Sequence, residues 1–129
     1  MATSEPACAS GHGVLLVENH DDLRHSMVLI LEREGYAVTG AGDGAGALVA
    51  LEGMVAPCVM LLDMPIMNGA ELLGRLAIHP RFSTLPVIAI SSGAAQAPWA
   101  RRMLRRPFDS QTLLTAVAEF CPPPTRHPA

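Results

Sequence analysis

Short apolar runs alternate with amphipathic stretches along most of this chain. The apolar runs are rich in Val, Leu and Ile, which is typical of strands buried on both faces of a parallel sheet. The predicted strands cover residues 13–19, 36–41, 58–63, 86–91 and, more weakly, 101–106. Between them, apolar residues recur at the spacing of a helix face. The predicted helices run from Asp21 to just before Gly35 and over residues 43–53, 70–78 and 109–120.

The order of these elements predicts a doubly wound α/β fold. Strands that alternate with helices join through right-handed crossovers, which place helices on both faces of a parallel sheet. We therefore expect one five-stranded parallel sheet. In such a sheet, ligands bind beyond the carboxyl ends of the strands, where the strand order reverses. The residues that follow the strands are thus the candidates for a functional site.

Length and composition are those of one compact domain. The chain has 129 residues, of which 50% are apolar, so it can bury a core without metal or disulfide staples. We expect the domain to cover residues 13–120. The segments 1–12 and 121–129 lack a periodic apolar pattern and are expected to be disordered tails.

Charge and hydropathy limit the classes of partner. The net charge of −3 gives no overall attraction to nucleic acid or to acidic membranes. The apolar runs are far shorter than the roughly 20 residues that cross a bilayer, and the amino terminus lacks a signal-peptide pattern. We therefore expect a cytoplasmic protein that binds neither nucleic acid nor membrane. Its three cysteines, Cys8, Cys58 and Cys121, match no metal spacing and are expected as reduced thiols.

Polar or charged residues follow most of the predicted strands. They are Glu18 and Asn19 after the first strand, Asp63 after the third, Ser91 and Ser92 after the fourth, and Arg106 after the fifth. A single acid at a strand end is commonly a helix cap or a solvated turn residue. Because parallel strands end at the same edge of a sheet, several such residues are instead expected to converge on one site.

Several segments, in this order, resemble the receiver domain of bacterial two-component response regulators. They are VLLVENHDDLR, PCVMLLD followed by MPIMNG, LPVIAISSG, and RRPFD. The resemblance implies the flavodoxin-like version of the predicted fold. It also implies that an acidic pair binds Mg²⁺ and that an Asp accepts a phosphoryl group from a histidine kinase. A hydroxyl and a Lys would hold the phosphoryl oxygens.

Matched residue by residue, the resemblance assigns these roles to positions in this chain. Asp63 is the phosphoacceptor, Ser91 is the hydroxyl switch, and Arg106 stands in place of the Lys. Glu18 and Asn19 stand at the acidic pair and, with Asp63, would hold Mg²⁺. Cations are needed there because a carboxylate and an anionic phosphoryl donor repel each other.

Departures from the family bear on the metal and on the acceptor. Asn19 replaces an acid, and Pro65 stands in a shortened loop that normally offers a backbone carbonyl, so Mg²⁺ binding is expected to be weak or absent. Arg106 has a planar fork that can pair directly with Asp63. Such a pair would favour an inert site.

A further departure lies before the fifth strand. The segment SGAAQAPW leaves room for one helical turn at most, so the fourth helix of the family is expected to be reduced or absent. Trp99 is the large side chain placed to cover the sheet face that this helix would protect, unless it is an ordinary loop aromatic. We therefore expect a monomer, or a dimer that does not use the usual fourth-helix face.

Two functions remain open on these residues. The first is a stand-alone receiver in a phosphorelay, which accepts a phosphoryl group on Asp63 from a histidine kinase or phosphotransfer protein and signals by binding an unknown downstream protein. The second is a degenerate receiver that binds a partner without phosphate. Neither is an enzyme. A flavodoxin-like cofactor binder is disfavoured, because ENHDD after the first strand is acidic and would repel phosphate.

Overall fold

The computed structural model describes residues 13–54, 57–64, 68–91 and 97–122. In these ranges the strands are β1 (Gly13–Val17), β2 (Ala37–Ala41), β3 (Pro57–Met64), β4 (Val87–Ser91) and β5 (Arg102–Arg105). The helices in the same ranges are α1 (Asp21–Arg33), α2 (Gly44–Gly53), α3 (Gly69–Ile78) and α4 (Ser110–Phe120). Each predicted strand and helix is present, and its ends lie within about two residues of the prediction.

The strands form one parallel sheet in the order β2-β1-β3-β4-β5. The chain moves from β1 outward to β2, then crosses back to β3 and continues to β4 and β5. The strand order therefore reverses between β1 and β3, which pair directly along Val14–Val17 and Val59–Leu62. The predicted doubly wound, flavodoxin-like fold is confirmed.

Two apolar cores cover the two faces of the sheet. Val14 and Leu16 point to one face, where they belong to the core that includes residues of α1 and α4. Their neighbours Leu15 and Val17 point to the other face, where the core includes residues of α2 and α3. Every residue of β1 is buried, which explains why its sequence is a continuous apolar run rather than an alternating one.

Local sequence signals set the ends of several helices. The side chain of Asp43 accepts a 2.7 Å hydrogen bond from the Gly46 backbone N–H and begins α2. Asp109 caps α4 in the same way, through a 2.8 Å bond from the Thr112 backbone N–H. Gly35, with a φ of 98°, follows α1 in a conformation that a side chain would strain. In the described part of the chain, no helix is long and apolar enough to cross a membrane.

The connection from β4 to β5 contains a tight turn in its described portion. Residues 97–100 form no helix. The prediction that the family's fourth helix is reduced or absent also covers residues 92–96, which lie outside the described residues. The Ala100 N–H donates to the Ala97 carbonyl at 2.9 Å, and Ala97 is the buried residue of this turn. Trp99 is 41% exposed. The turn buries Ala97 and leaves Trp99 partly exposed, which favours an ordinary loop aromatic over a side chain that covers the sheet.

Cys58 and Cys121 form a disulfide, so the expectation of reduced thiols is wrong for this pair. Cys58 lies at the start of β3, and Cys121 is the C-cap of α4, where it is fully buried instead of lying in a tail. Packing of α4 on the sheet brings the two Cα atoms to 5.5 Å, within the usual range for a disulfide. Cys8 and the segments 1–12 and 123–129 lie outside the described residues.

Candidate functional site

Three charged side chains meet at the carboxyl edge of the sheet, beside the reversal in strand order. Glu18 follows β1, Asp63 lies near the end of β3, and Arg106 follows β5. Each comes two residues after a core residue on the α1 and α4 face, namely Leu16, Leu61 and Leu104 respectively. Because strand side chains alternate between faces, the sheet itself directs all three charged groups to the same side.

One nitrogen of Arg106 binds both carboxylates. Nη2 donates to Glu18 Oε1 at 2.6 Å and to Asp63 Oδ1 at 2.9 Å. The Arg106 backbone N–H donates to the Ser91 carbonyl at 2.9 Å, which fixes the point where the side chain leaves the sheet. The guanidinium carbon lies 5.9 Å from the centre of the Phe108 ring. Arg106 is therefore a positive charge held in place between two acids.

Glu18 is a buried acid whose polar groups all have partners. Its Oε2 accepts a 3.1 Å bond from the His20 backbone N–H, while Oε1 accepts from Arg106. Its own backbone N–H donates to the Ala41 carbonyl at 2.9 Å, and its carbonyl accepts from Nη1 of Arg24 at 2.8 Å. This complete pairing is what allows a charged group to remain in the interior.

The pKa values of two members of the site are raised. Burial raises the pKa of the Glu18 carboxyl, and the charge of Asp63 adds to this, while the His20 N–H and Arg106 oppose it without cancelling it. Burial alone would lower the pKa of Arg106, but its hydrogen bond to Asp63 and the charges of both acids raise it overall. Arg106 therefore stays charged, and Glu18 takes up a proton more readily than an exposed Glu does.

The two acids differ in access to solvent. The side chain of Glu18 is 1% exposed, whereas that of Asp63 is 13% exposed and that of Arg106 is 20% exposed. A reactant can therefore reach Asp63 and the outer part of Arg106, but it cannot reach Glu18 without displacing other groups.

The other predicted site residues lie around this triad. Ser91 ends β4, is buried, and pairs in register with Met64, the residue after Asp63. Asn19 follows Glu18 and is exposed. Pro65 and Ser92 lie outside the described residues.

Arg24 on α1 is a residue of the site that the sequence interpretation missed. Its guanidinium binds the Glu18 carbonyl and also donates to the Asp21 carboxylate at 2.7 Å. Its side chain runs past Gly40, where an added Cβ would lie 3.2 Å from Arg24 Cδ. The spacing of Asp21 and Arg24 predicts a surface ion pair along a helix, but no sequence signal indicates the bond to Glu18.

Residues 14–118 match the family model of the response regulator receiver domain. The chain belongs to this family. Among its relatives, the receiver protein CpdR of Brucella abortus is 31% identical over 115 residues, which cover 83% of this chain and 94% of CpdR. An uncharacterized 14.6 kDa protein of Leptolyngbya boryana is 32% identical over 117 residues, which cover 84% of this chain and 88% of that protein.

Receiver domains of this kind also occur inside longer regulators. The transcriptional regulatory protein CseB of Streptomyces avermitilis is 34% identical over 113 residues, which cover 81% of this chain and 46% of CseB. The present chain therefore spans about half the length of that relative.

Solved structures share the receiver fold. Vibrio cholerae CheY4 superimposes with a TM-score of 0.72 at 24% identity, covering 84% of this chain and 97% of CheY4. The receiver domain of the Pseudomonas aeruginosa sensor kinase PA1611, which holds a magnesium ion in its active-site cleft, gives a TM-score of 0.73 at 23% identity and covers 85% of this chain and 97% of that domain.

Receiver domains generally bind Mg²⁺ in the active site. In this receiver domain, the described residues contain no group of three His, Cys, Asp or Glu side chains that could hold a metal. Glu18 and Asp63 supply two carboxylates, but both already bind the same nitrogen of Arg106. Mg²⁺ prefers several hard oxygen ligands in octahedral geometry, so these residues fit it poorly.

Proposed function

We propose that this receiver domain accepts a phosphoryl group on Asp63 from a phosphohistidine, carried by a histidine kinase or a phosphotransfer protein. The observation that supports this most is the position of Asp63, a partly exposed carboxylate near the end of β3, beside the reversal in strand order and 2.9 Å from Arg106 Nη2. It places a carboxylate nucleophile next to a fixed cation that can bind incoming phosphoryl oxygens.

The transfer exchanges one bond to phosphorus for another. An oxygen of the Asp63 carboxylate attacks the phosphorus atom of the donor, and a phosphorus–oxygen bond forms as the phosphorus–nitrogen bond to the histidine breaks. The leaving imidazole keeps the electron pair and takes up a proton. Arg106 reduces the repulsion between the two anions, and its planar fork then binds the phosphoryl oxygens of the acyl phosphate.

Ser91 is the residue proposed to carry the signal away from Asp63. It is buried beside the end of β3, and its carbonyl holds the backbone of Arg106 at 2.9 Å. A Ser hydroxyl can donate a hydrogen bond to a phosphoryl oxygen. A shift of Ser91 toward that oxygen would move the end of β4, and a downstream protein would recognise the altered surface.

The same proposal takes Mg²⁺ binding to Glu18, Asn19 and Asp63 to be weak or absent. Asn19 contributes no charge, and loss of one charge near a divalent cation removes on the order of a few kcal/mol of attraction in a partly screened site. Stand-alone action remains a prediction, because receiver domains occur both in short relatives such as CpdR and in longer ones such as CseB.

The Arg106 contact also supports a second function. A guanidinium that already neutralises Asp63 gives the domain a stable ion pair without any phosphate. In that case the protein would be a degenerate receiver, a phosphorylation-independent interaction module whose partner recognises the resting surface.

Intact-mass measurement after incubation with acetyl phosphate distinguishes the two functions. A phosphoryl-accepting receiver gains the mass of one phosphoryl group, and Asp63→Ala abolishes the gain. The matched control is Asp21→Ala, because Asp21 is an exposed acid that binds Arg24 instead of Arg106. If the wild-type chain gains no mass under any donor and metal condition, the degenerate function is supported.

A further inference from the structure

We propose that the Arg106 guanidinium takes the place of the divalent cation in this receiver domain, so that Asp63 is phosphorylated without a requirement for metal. This inference rests on the proposed phosphoryl acceptance. It concerns which cation balances the charge at the site, and it can fail while that function stands.

The position of one nitrogen atom carries the inference. Arg106 Nη2 lies 2.6 Å from Glu18 Oε1 and 2.9 Å from Asp63 Oδ1, between the two carboxylate oxygens. A Mg²⁺ ion that bound the same two oxygens would lie at about 2.1 Å from each of them. It would therefore need the space that Nη2 and its hydrogens fill. Metal and guanidinium compete for one place.

Arg106 is anchored well enough to keep that place. Its backbone N–H is fixed to the Ser91 carbonyl, and its guanidinium lies near the Phe108 ring. A guanidinium carries its charge throughout the physiological range. A rotation of Glu18 away from Arg106 would also break the 3.1 Å bond that its other oxygen accepts from the His20 backbone N–H.

The charge of the site supports the same conclusion. The carboxylates of Glu18 and Asp63 face one guanidinium, and the neighbouring Asn19 adds no third negative charge. A divalent cation added to these groups would meet an acid pair that is already half neutralised and a positive charge in contact with it. Contact with the guanidinium therefore cancels part of the attraction that the two carboxylates would exert on the metal. An incoming phosphoryl group is negative and meets no such repulsion from Arg106.

The first test compares phosphorylation with and without metal. The wild-type chain is incubated with phosphoramidate in the presence of either Mg²⁺ or EDTA, and the rate of mass gain is measured. Equal rates, within about twofold, are expected, because the fixed guanidinium supplies the positive charge. A gain in mass with Mg²⁺ that is lost in EDTA overturns this inference and leaves the proposed function intact.

The second test measures metal binding without phosphorylation. Electron paramagnetic resonance of Mn²⁺ reports free ion during titration of the wild-type chain and of Arg106→Gln. The variant is expected to bind Mn²⁺ about tenfold or more tightly than the wild type, because removal of the guanidinium exposes two adjacent carboxylates to the metal. Equal affinities overturn the inference, and this remains true if no phosphorylation is ever detected.

Arg106→Lys provides a further test in case the Arg106→Gln variant does not fold. An ammonium on a shorter side chain keeps the positive charge but cannot donate through a planar fork to both acids. We expect phosphorylation of this variant to become faster with Mg²⁺ than with EDTA, by about tenfold. If Arg106→Lys is folded and its phosphorylation rate is the same with Mg²⁺ as with EDTA, the guanidinium bridge between the two acids does not replace the divalent cation.

Discussion

The hydroxyl of Tyr36 donates a 2.6 Å hydrogen bond to the backbone carbonyl of Cys121, 85 residues away along the chain. Tyr36 is buried just before β2, and Cys121 ends α4. Tyr36→Phe keeps the ring but leaves the buried carbonyl without this donor. We expect it to lower the free energy of unfolding by about 1–2 kcal/mol, measured by urea denaturation.

Thr115→Val is the matched control for this hydroxyl. Thr115 lies on α4, and its hydroxyl accepts a bond from Gln111 at the protein surface. Its removal should change the free energy of unfolding by no more than about 0.5 kcal/mol. Equal losses of unfolding free energy in the two variants would contradict a stabilising role of the Tyr36 hydrogen bond.

Reduction of the Cys58–Cys121 disulfide is expected to destabilise the domain. The bond closes a loop with a sequence separation of 63 residues, and loss of such a cross-link costs about 4 kcal/mol on the chain-entropy estimate. A reducing agent should therefore lower Tm by roughly 10 °C in differential scanning fluorimetry. The double variant Cys58→Ser/Cys121→Ser should show the low Tm with or without reductant. A wild-type Tm that does not respond to complete reduction would contradict this.

Gly44 is expected to tolerate no side chain. A Cβ at Gly44 would lie 2.1 Å from the Asn68 carbonyl oxygen, because the start of α2 packs against the backbone just before α3. Gly44→Ala should lower the free energy of unfolding by about 2 kcal/mol or more, since backbone must move. Urea denaturation measures the loss.

Gly74→Ala is the control for Gly44→Ala. Gly74 lies inside α3, and apart from its chain neighbours and the backbone of its own helix an added Cβ would meet no atom within 4 Å. Here Ala should raise the free energy of unfolding by about 0.5–1 kcal/mol, because Ala favours the helix. If both substitutions stabilised the domain, the result would contradict the close contact between the start of α2 and the Asn68 backbone.

The pKa of Glu18 gives a prediction about pH. Burial raises this pKa above its ordinary value of 4.5. The folded state then binds a proton more readily than the unfolded state, so the stability due to this group is fully present below pH 4.5 and is lost as pH rises through the folded-state pKa. Carbon-13 NMR of the carboxyl should show a pKa above 4.5 that rises further in Arg106→Gln, since Arg106 opposes the increase. A value below 4.5 would contradict the dominance of burial.

Local sequence patterns were sufficient to predict the elements of this fold. Asp43 and Asp109 each stand at the start of a predicted helix and do cap it, and the predicted strand 58–63 contains the buried centre of β3, residues 59–62. Topology then predicts the meeting of Glu18, Asp63 and Arg106, because ends of parallel strands share one edge.

Contacts between distant parts of the chain could not be predicted in the same way. The bond from Arg106 to Glu18 joins residues 88 apart, and it depends on the rotamers that packing imposes on both side chains. The Cys58–Cys121 bond depends on where the end of α4 meets β3, which no local pattern specifies. The two alternatives for Trp99 stayed open for a similar reason, since the turn at Ala97 decides which side chain is buried.

Chemical mapping of the phosphorylated residue tests phosphoryl acceptance most directly. Borohydride reduces an acyl phosphate on Asp to homoserine, so the modified position can be read by peptide mass spectrometry after treatment with a phosphohistidine-carrying donor or with phosphoramidate. We predict homoserine at position 63 in the treated wild-type chain, and none in the untreated chain or in Asp63→Ala. Homoserine at another acid, or an unmodified Asp63 after treatment with both donors, would contradict Asp63 as the phosphoacceptor.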